Sequence, residues 1–128
     1  MNKTSILLSI GILLIAGAIL FLTTNRVEQV NAGSNVTYDG DKQIIALTAK
    51  GGFSPANTVA KAGMPTTIKI TTNGTFDCSS SLVIPSLNYE KTLPATGITD
   101  VEIPAQEAGK VINGMCSMGM YNFSVKFE

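Results

Sequence analysis

From Gln43 to Glu128 the chain is cut into short runs rich in Val, Ile, Thr, Tyr and Phe. They read QIIALTAK, TTIKITTN, SLVIPS, NYEKTL, TDVEIPA, KVINGM and YNFSVKFE. Between them stand turn formers: Gly51-Gly52, Ser54-Pro55, Ala62-Gly63, Asn73-Gly74, Ala95-Thr96-Gly97 and Ala108-Gly109. Gly and Pro at such spacing stop a strand and reverse the chain. Val101, Ile103 and Ala105 alternate with polar residues, as do Phe123, Val125 and Phe127. A period of two puts alternate side chains on one face of a strand. No window of 11 residues here carries a helical period. Seven or so strands with a turn about every ten residues predict an all-β domain, an antiparallel sandwich or barrel. Its 86 residues, 43–128, can bury one modest core.

The other end of the chain obeys different rules. Residues 6–22, ILLSIGILLIAGAILFL, form a run of 17 without a charge, bounded by Lys3 and Arg26. With Ser5, Thr23 and Thr24 the run reaches 20, enough for a helix to cross a hydrocarbon layer about 30 Å thick. A cleaved signal peptide competes, with MNKTS as its charged start and Val30-Asn31-Ala32 as a small-residue cleavage site. Its apolar part is usually only about 7–15 residues long, which favours the anchor. Residues 1–24 are therefore expected to be one N-terminal transmembrane helix. The stretch 25–42, NRVEQVNAGSNVTYDGDK, has few large apolar side chains and reads as a flexible tether to the domain at 43–128. Lys3 and the amino terminus outweigh Arg26 only slightly as a topology signal. The simplest arrangement is a single-pass cell-membrane protein with its domain outside the cytoplasm.

Composition removes whole classes of function. The chain has no His, which excludes Ser-His-Asp and Cys-His nucleophile arrangements, His-ligated zinc and an ordinary blue-copper site. Nine Lys and Arg balance nine Asp and Glu, which argues against nucleic acid as a partner. No acid–base pair stands out, and an enzyme is not expected.

What remains is sulfur. Four of the seven Cys and Met residues fall in Met115-Cys116-Ser117-Met118-Gly119-Met120, and the second cysteine, Cys78, lies in Asn73-Gly74-Thr75-Phe76-Asp77-Cys78-Ser79-Ser80. In an extended segment Cys116, Met118 and Met120 share one face, and Gly119 lets the chain turn tightly. Thiolate and thioether donors without imidazole suit Cu(I), whereas Ca²⁺ and Mg²⁺ take oxygen. On the same pleat Met115 points away and reads as core, and Met64, before Pro65, reads as packing. Tyr121 is expected to be a strand-start aromatic or a shield for the site. Asp77 is expected to shape its turn or to stabilise a cation. Plainer explanations stand beside these: two cysteines in an exported domain often form a disulfide, and methionine fills gaps in cores.

The stretch from Gly51-Gly52-Phe53-Ser54-Pro55 through Lys61-Ala62-Gly63 and Val83-Ile84-Pro85-Ser86 to Cys116-Ser117-Met118-Gly119-Met120-Tyr121 resembles the cupredoxin superfamily. More narrowly it is similar to EfeO-type cupredoxin-like domains and to membrane-anchored bacterial Cu(I) chaperones with a Cys…Cys-x-Met-x-Met site. The resemblance implies a Greek-key β-sandwich. It also implies copper, Cu(I), held by Cys78, Cys116, Met118 and Met120. Cys78 stands where the cupredoxin pattern has its upstream His, Cys116 matches the loop Cys, and Met118 and Met120 fall on the later ligand positions. The implied partner is a copper-transporting P-type ATPase or another copper carrier. Two other functions stay open: a cupredoxin-type electron-transfer protein, and a metal-free β-sandwich binding module closed by a Cys78–Cys116 disulfide.

Overall fold

The computed structural model describes residues 34–128. The expected anchor at 1–24 and the tether up to residue 33 lie outside the described residues. Among the described residues no helix is long and apolar enough to cross a membrane.

Among the described residues ten strands form two five-stranded sheets. The first sheet runs β1 (Val36–Asp39), β2 (Lys42–Ala49), β5 (Thr66–Thr72), β8 (Gly97–Ile103), with β3 (Phe53–Ser54) also paired to β2. The second runs β4 (Asn57–Ala60), β10 (Asn122–Phe127), β9 (Val111–Cys116), β6 (Ser81–Ile84), β7 (Tyr89–Thr92). Every one of the seven β-rich runs in the sequence overlaps a strand. Three further strands carry no such run. β1 uses four residues of the stretch expected as tether, Val36 facing Ile45 across a reversal at Gly40. β3 and β4 flank Pro55 and Ala56, in a stretch that reads as turn.

The expectation of a purely antiparallel sandwich is corrected. β2 and β5 run parallel, Gln43 opposite Thr66 and Thr48 opposite Thr71, and β4 and β10 run parallel as well. After β3 the chain leaves this sheet, lays β4 into the opposite one, and returns as β5 beside β2. A tight hairpin forces the next strand to reverse, whereas a crossover leaves its direction free: β5 returns parallel to β2, and β8, after β6 and β7 in the opposite sheet, returns antiparallel to β5. Side-chain alternation is identical in both cases, so the runs alone do not encode partner direction.

The core lies between the sheets and is built from the alternating positions. Ile45, Leu47 and Ala49 of β2, Ile68 and Ile70 of β5, and Val101 and Ile103 of β8 face Leu82, Ile84, Ile112, Phe123, Val125 and Phe127. Pro104 ends the alternation of β8, and Ala105 is exposed. Gln43 is the polar exception inside. Its amide donates to the Lys61 carbonyl and to Thr66 Oγ1, and its Oε1 accepts from the Lys61 N–H. That satisfies the buried amide and fastens β2 to the β4–β5 connection.

Candidate metal centre

Hydrogen bonds tie several loops together at one end of the sandwich. After β5 the chain enters residues 73–77, where the buried Thr75 hydroxyl donates to the Ala49 carbonyl at the end of β2. The Thr75 N–H donates to the Ala95 carbonyl, and the Gly74 N–H to Thr96 Oγ1. Asp77 then caps a single 3-10 turn, Cys78–Ser80. Its Oδ1 accepts from the N–H and the hydroxyl of Ser79, and its Oδ2 from the Gly51 N–H at 2.9 Å. These donors hold the Asp77 carboxyl below the usual aspartate range, the Ser79 hydroxyl contributing most. Asp77 is thus the shaper of its turn, with both oxygens engaged by the loops.

Cys116 is the last residue of β9 and faces inward, fully buried against the core. Gly114, also inward, lies under the Phe123 ring, which meets Phe53 edge-on with centroids 5.2 Å apart. The half-buried Cys78 comes up beside Cys116, and the two are joined as a disulfide, their Cα atoms 5.8 Å apart. Two cysteines 38 residues apart in sequence have been brought together by the packing of the Cys78–Ser80 turn against β9.

The chain turns immediately after Cys116. The Gly119 N–H donates to the Cys116 carbonyl at 2.8 Å, and the Cys116 N–H to the Tyr121 carbonyl at 2.9 Å. Gly119 sits at φ +70°, the left-handed region that glycine enters at no steric cost. The one-face argument for Met118 and Met120 assumed an extended chain, and this turn replaces it. Both thioethers stand out from the surface, 80% and 65% exposed. Phe76, on the Cys78 side of the same end, is 85% exposed.

Two expectations change with the geometry. Met115 does face away from Cys116, but that side of β9 is the outer one, so Met115 is half-buried and not core. Tyr121 is half-buried with its ring against Gly52, a contact that braces the β9–β10 turn on the loop after β2. Sequence reasoning missed one contributor: the Tyr121 backbone N–H donates to Cys116 Sγ at 3.4 Å. A main-chain donor leaves no mark in residue identity.

Chemically the end offers two cysteine sulfurs within reach of one another and two exposed thioethers on the adjoining turn. Among the described residues no three His, Cys, Asp or Glu side chains cluster as a metal site, so the donor set here is sulfur. That set fits a soft monovalent ion once the cysteines are reduced.

A family model for a cupredoxin-like domain matches residues 12–126. The metal-binding domain of the Streptococcus pneumoniae D39 Cu(I)-exporting P-type ATPase CopA, solved with Cu(I), superposes with a TM-score of 0.65 at 18% identity. The match covers 73% of this chain and 92% of that one. A copper-binding protein solved in solution in its apo form gives 0.67 at 24% identity, over 75% of this chain and 97% of that one. At these identities the likeness shows the fold. No curated protein sequence matches the chain.

Proposed function

The chain belongs to the cupredoxin-like domain family, and from that premise we propose that it is a membrane-anchored Cu(I)-binding protein. In this reading it captures copper on Cys78, Cys116, Met118 and Met120 and passes it to a copper-exporting P-type ATPase or another carrier. The observation that carries the reading is the meeting of Cys78 and Cys116 at the end of β9, with Met118 and Met120 exposed on the very next turn. Both structural neighbours are described as copper proteins, one of them a domain of a Cu(I) exporter, which supports the copper assignment and the class of partner.

The proposed chemistry follows from the donors. As thiolates, Cys78 and Cys116 neutralise the cation's charge and hold it tightly. Met118 and Met120 are neutral, weaker and outward, suited to receiving an incoming ion or releasing it by ligand exchange. The residues supply no imidazole for Cu(II), which disfavours the electron-transfer alternative. The uncharged run at 6–22 supports the anchor, and a domain outside the cytoplasm is the topology proposed with it.

A metal-free sandwich is the second reading, and the disulfide favours it. Titrating the reduced full chain with Cu(I) against a competing chelator separates the two. Copper binding predicts that Cys78→Ser or Cys116→Ser weakens the tight equivalent by orders of magnitude, since one thiolate remains. Met118→Leu with Met120→Leu should remove only a weaker equivalent or speed release, with packing costs below about 1.5 kcal/mol. Cu(I) affinity unchanged in both cysteine variants ends the copper reading.

A further inference from the structure

The two sulfurs of the Cys78–Cys116 disulfide are not equivalent. Cys116 is fully buried at the end of β9, within the core, and its Sγ accepts the Tyr121 N–H. Cys78 lies half-exposed on a one-turn 3-10 segment at the surface. Thiol–disulfide exchange is an in-line displacement: the attacking thiolate must reach one sulfur from the side opposite the bond being broken, and the other sulfur leaves. A sulfur with no exposed surface cannot be approached in this way. Its partner can.

We infer that Cys78 Sγ is the site at which a small thiol attacks this disulfide, that Cys116 is the leaving sulfur, and that this exchange gates copper loading. The gate rests on the copper reading above; the direction of attack does not. In the first step a thiolate, RS⁻, forms a Cys78–S–S–R bond while the Cys78–Cys116 bond breaks and Cys116 departs with the electron pair. The Tyr121 N–H already points at the atom that takes up this charge, and a hydrogen bond to a charged sulfur is stronger than one to a neutral one. In the second step another RS⁻ attacks the R-side sulfur, releasing Cys78 as thiolate and forming R–S–S–R. Two thiols are oxidised to one disulfide and the protein gains two electrons. The two protons of the attacking thiols go to water, or to the new thiolates until copper displaces them. While the disulfide stands, neither cysteine is a thiolate, and of the four proposed ligands the exposed Met118 and Met120 alone remain as copper donors.

The test uses the full chain in mild detergent, oxidised in air, with glutathione as the thiol. Acid quenching, alkylation and peptide mass mapping locate the mixed disulfide. It should sit on Cys78, with Cys116 alkylated, in at least about tenfold excess over the reverse. A mixed disulfide on Cys116, an even distribution, or two free thiols in the air-oxidised chain overturns the inference. Single-cysteine chains supply a second readout that needs no trapped intermediate. Cys78 in C116S should react with an aromatic disulfide reagent at least about tenfold faster than Cys116 in C78S, and equal or inverted rates overturn it. For the gate, the oxidised chain should lack the tight Cu(I) equivalent, and the chain reduced with glutathione and then freed of it should regain it. Equal tight binding by both forms overturns the gate and leaves the copper reading intact. Tight binding by neither overturns the copper reading and the gate together, whatever the mapping shows.

Discussion

At the scale of single residues, two positions at the sulfur end carry constraints of opposite kinds. Gly114 is required for space: a Cβ built there would lie 2.3 Å from the Phe123 ring, which is itself buried and packed on Phe53. Gly114→Ala should therefore cost about 1–3 kcal/mol in a denaturant melt, the range for overpacking a filled core. A variant as stable as the parent would show that the ring yields freely. Asp77 is required for its charge. Its carboxyl is held below the ordinary aspartate value by the Ser79 hydroxyl and then by the Gly51 and Ser79 N–H groups. A group whose pKa falls on folding adds stability above its unfolded value, about 3.9, and loses it as pH drops through the lower folded value. The amide resonances of Gly51 and Ser79 should thus titrate with a midpoint below about 3.9 and stop titrating in Asp77→Asn. A midpoint at or above that value would contradict the bracing role. The contact of Gly114 with Phe123 joins two strands, β9 and β10, and has no trace in local pattern. Asp before Cys-Ser-Ser did read locally as a turn former.

At the scale of elements, the turn at 117–121 decides how the methionines are presented. Gly119 has φ +70° and nothing within 4 Å of an added Cβ, so its cost of substitution is one of backbone conformation alone. Gly119→Ala should destabilise by about 1 kcal/mol despite the open space, and Gly119→Asn by less, because Asn tolerates the left-handed region better. Equal stability of Ala, Asn and Gly at this position in thermal melts would mean that the turn changes shape at no cost. The strands themselves were legible because their runs are rich in β-branched and aromatic residues between turn formers, and β2, β8, β9 and β10 also alternate between the core and water. β3 and β4 were not: β3 has only two residues, too few to show a period, and β4 begins two residues after Pro55, inside a stretch that reads as turn. β1 has an exposed pattern throughout except at Val36, and it exists because β2 offers it a hydrogen-bonding edge.

Across residues 34–128, the core is built from both sheets, and of the proposed donors only Cys116 lies within it, with Cys78 packed against its edge. Residues 34–128 should therefore fold without copper, giving a β-type circular dichroism spectrum and a cooperative melt. A disordered spectrum until metal is added would refute this. The cross-link between Cys78 and Cys116 closes a loop 38 residues long, for which chain entropy gives at most about 4 kcal/mol. Reduction should lower stability by roughly 2–4 kcal/mol while leaving the domain folded, as comparison of oxidised and reduced denaturant curves would show. A reduced chain that unfolds outright would make the disulfide a condition of the fold.

By itself the sequence determined the all-β class, the seven strands that lie in its β-rich runs, the absence of imidazole chemistry and the concentration of sulfur near the C-terminus. Each of these is a matter of composition or of local period, which neighbouring residues express without help from the rest of the chain. Only the tertiary structure decided that β2 pairs parallel with β5 and β4 with β10, that Cys78 meets Cys116, and that Cys116 is buried while Met118 and Met120 face water. Strand direction, the distance between remote side chains and the side of a sheet that becomes the core are all set when two sheets close on each other. They depend on which apolar faces meet, and no single stretch of the chain contains that information.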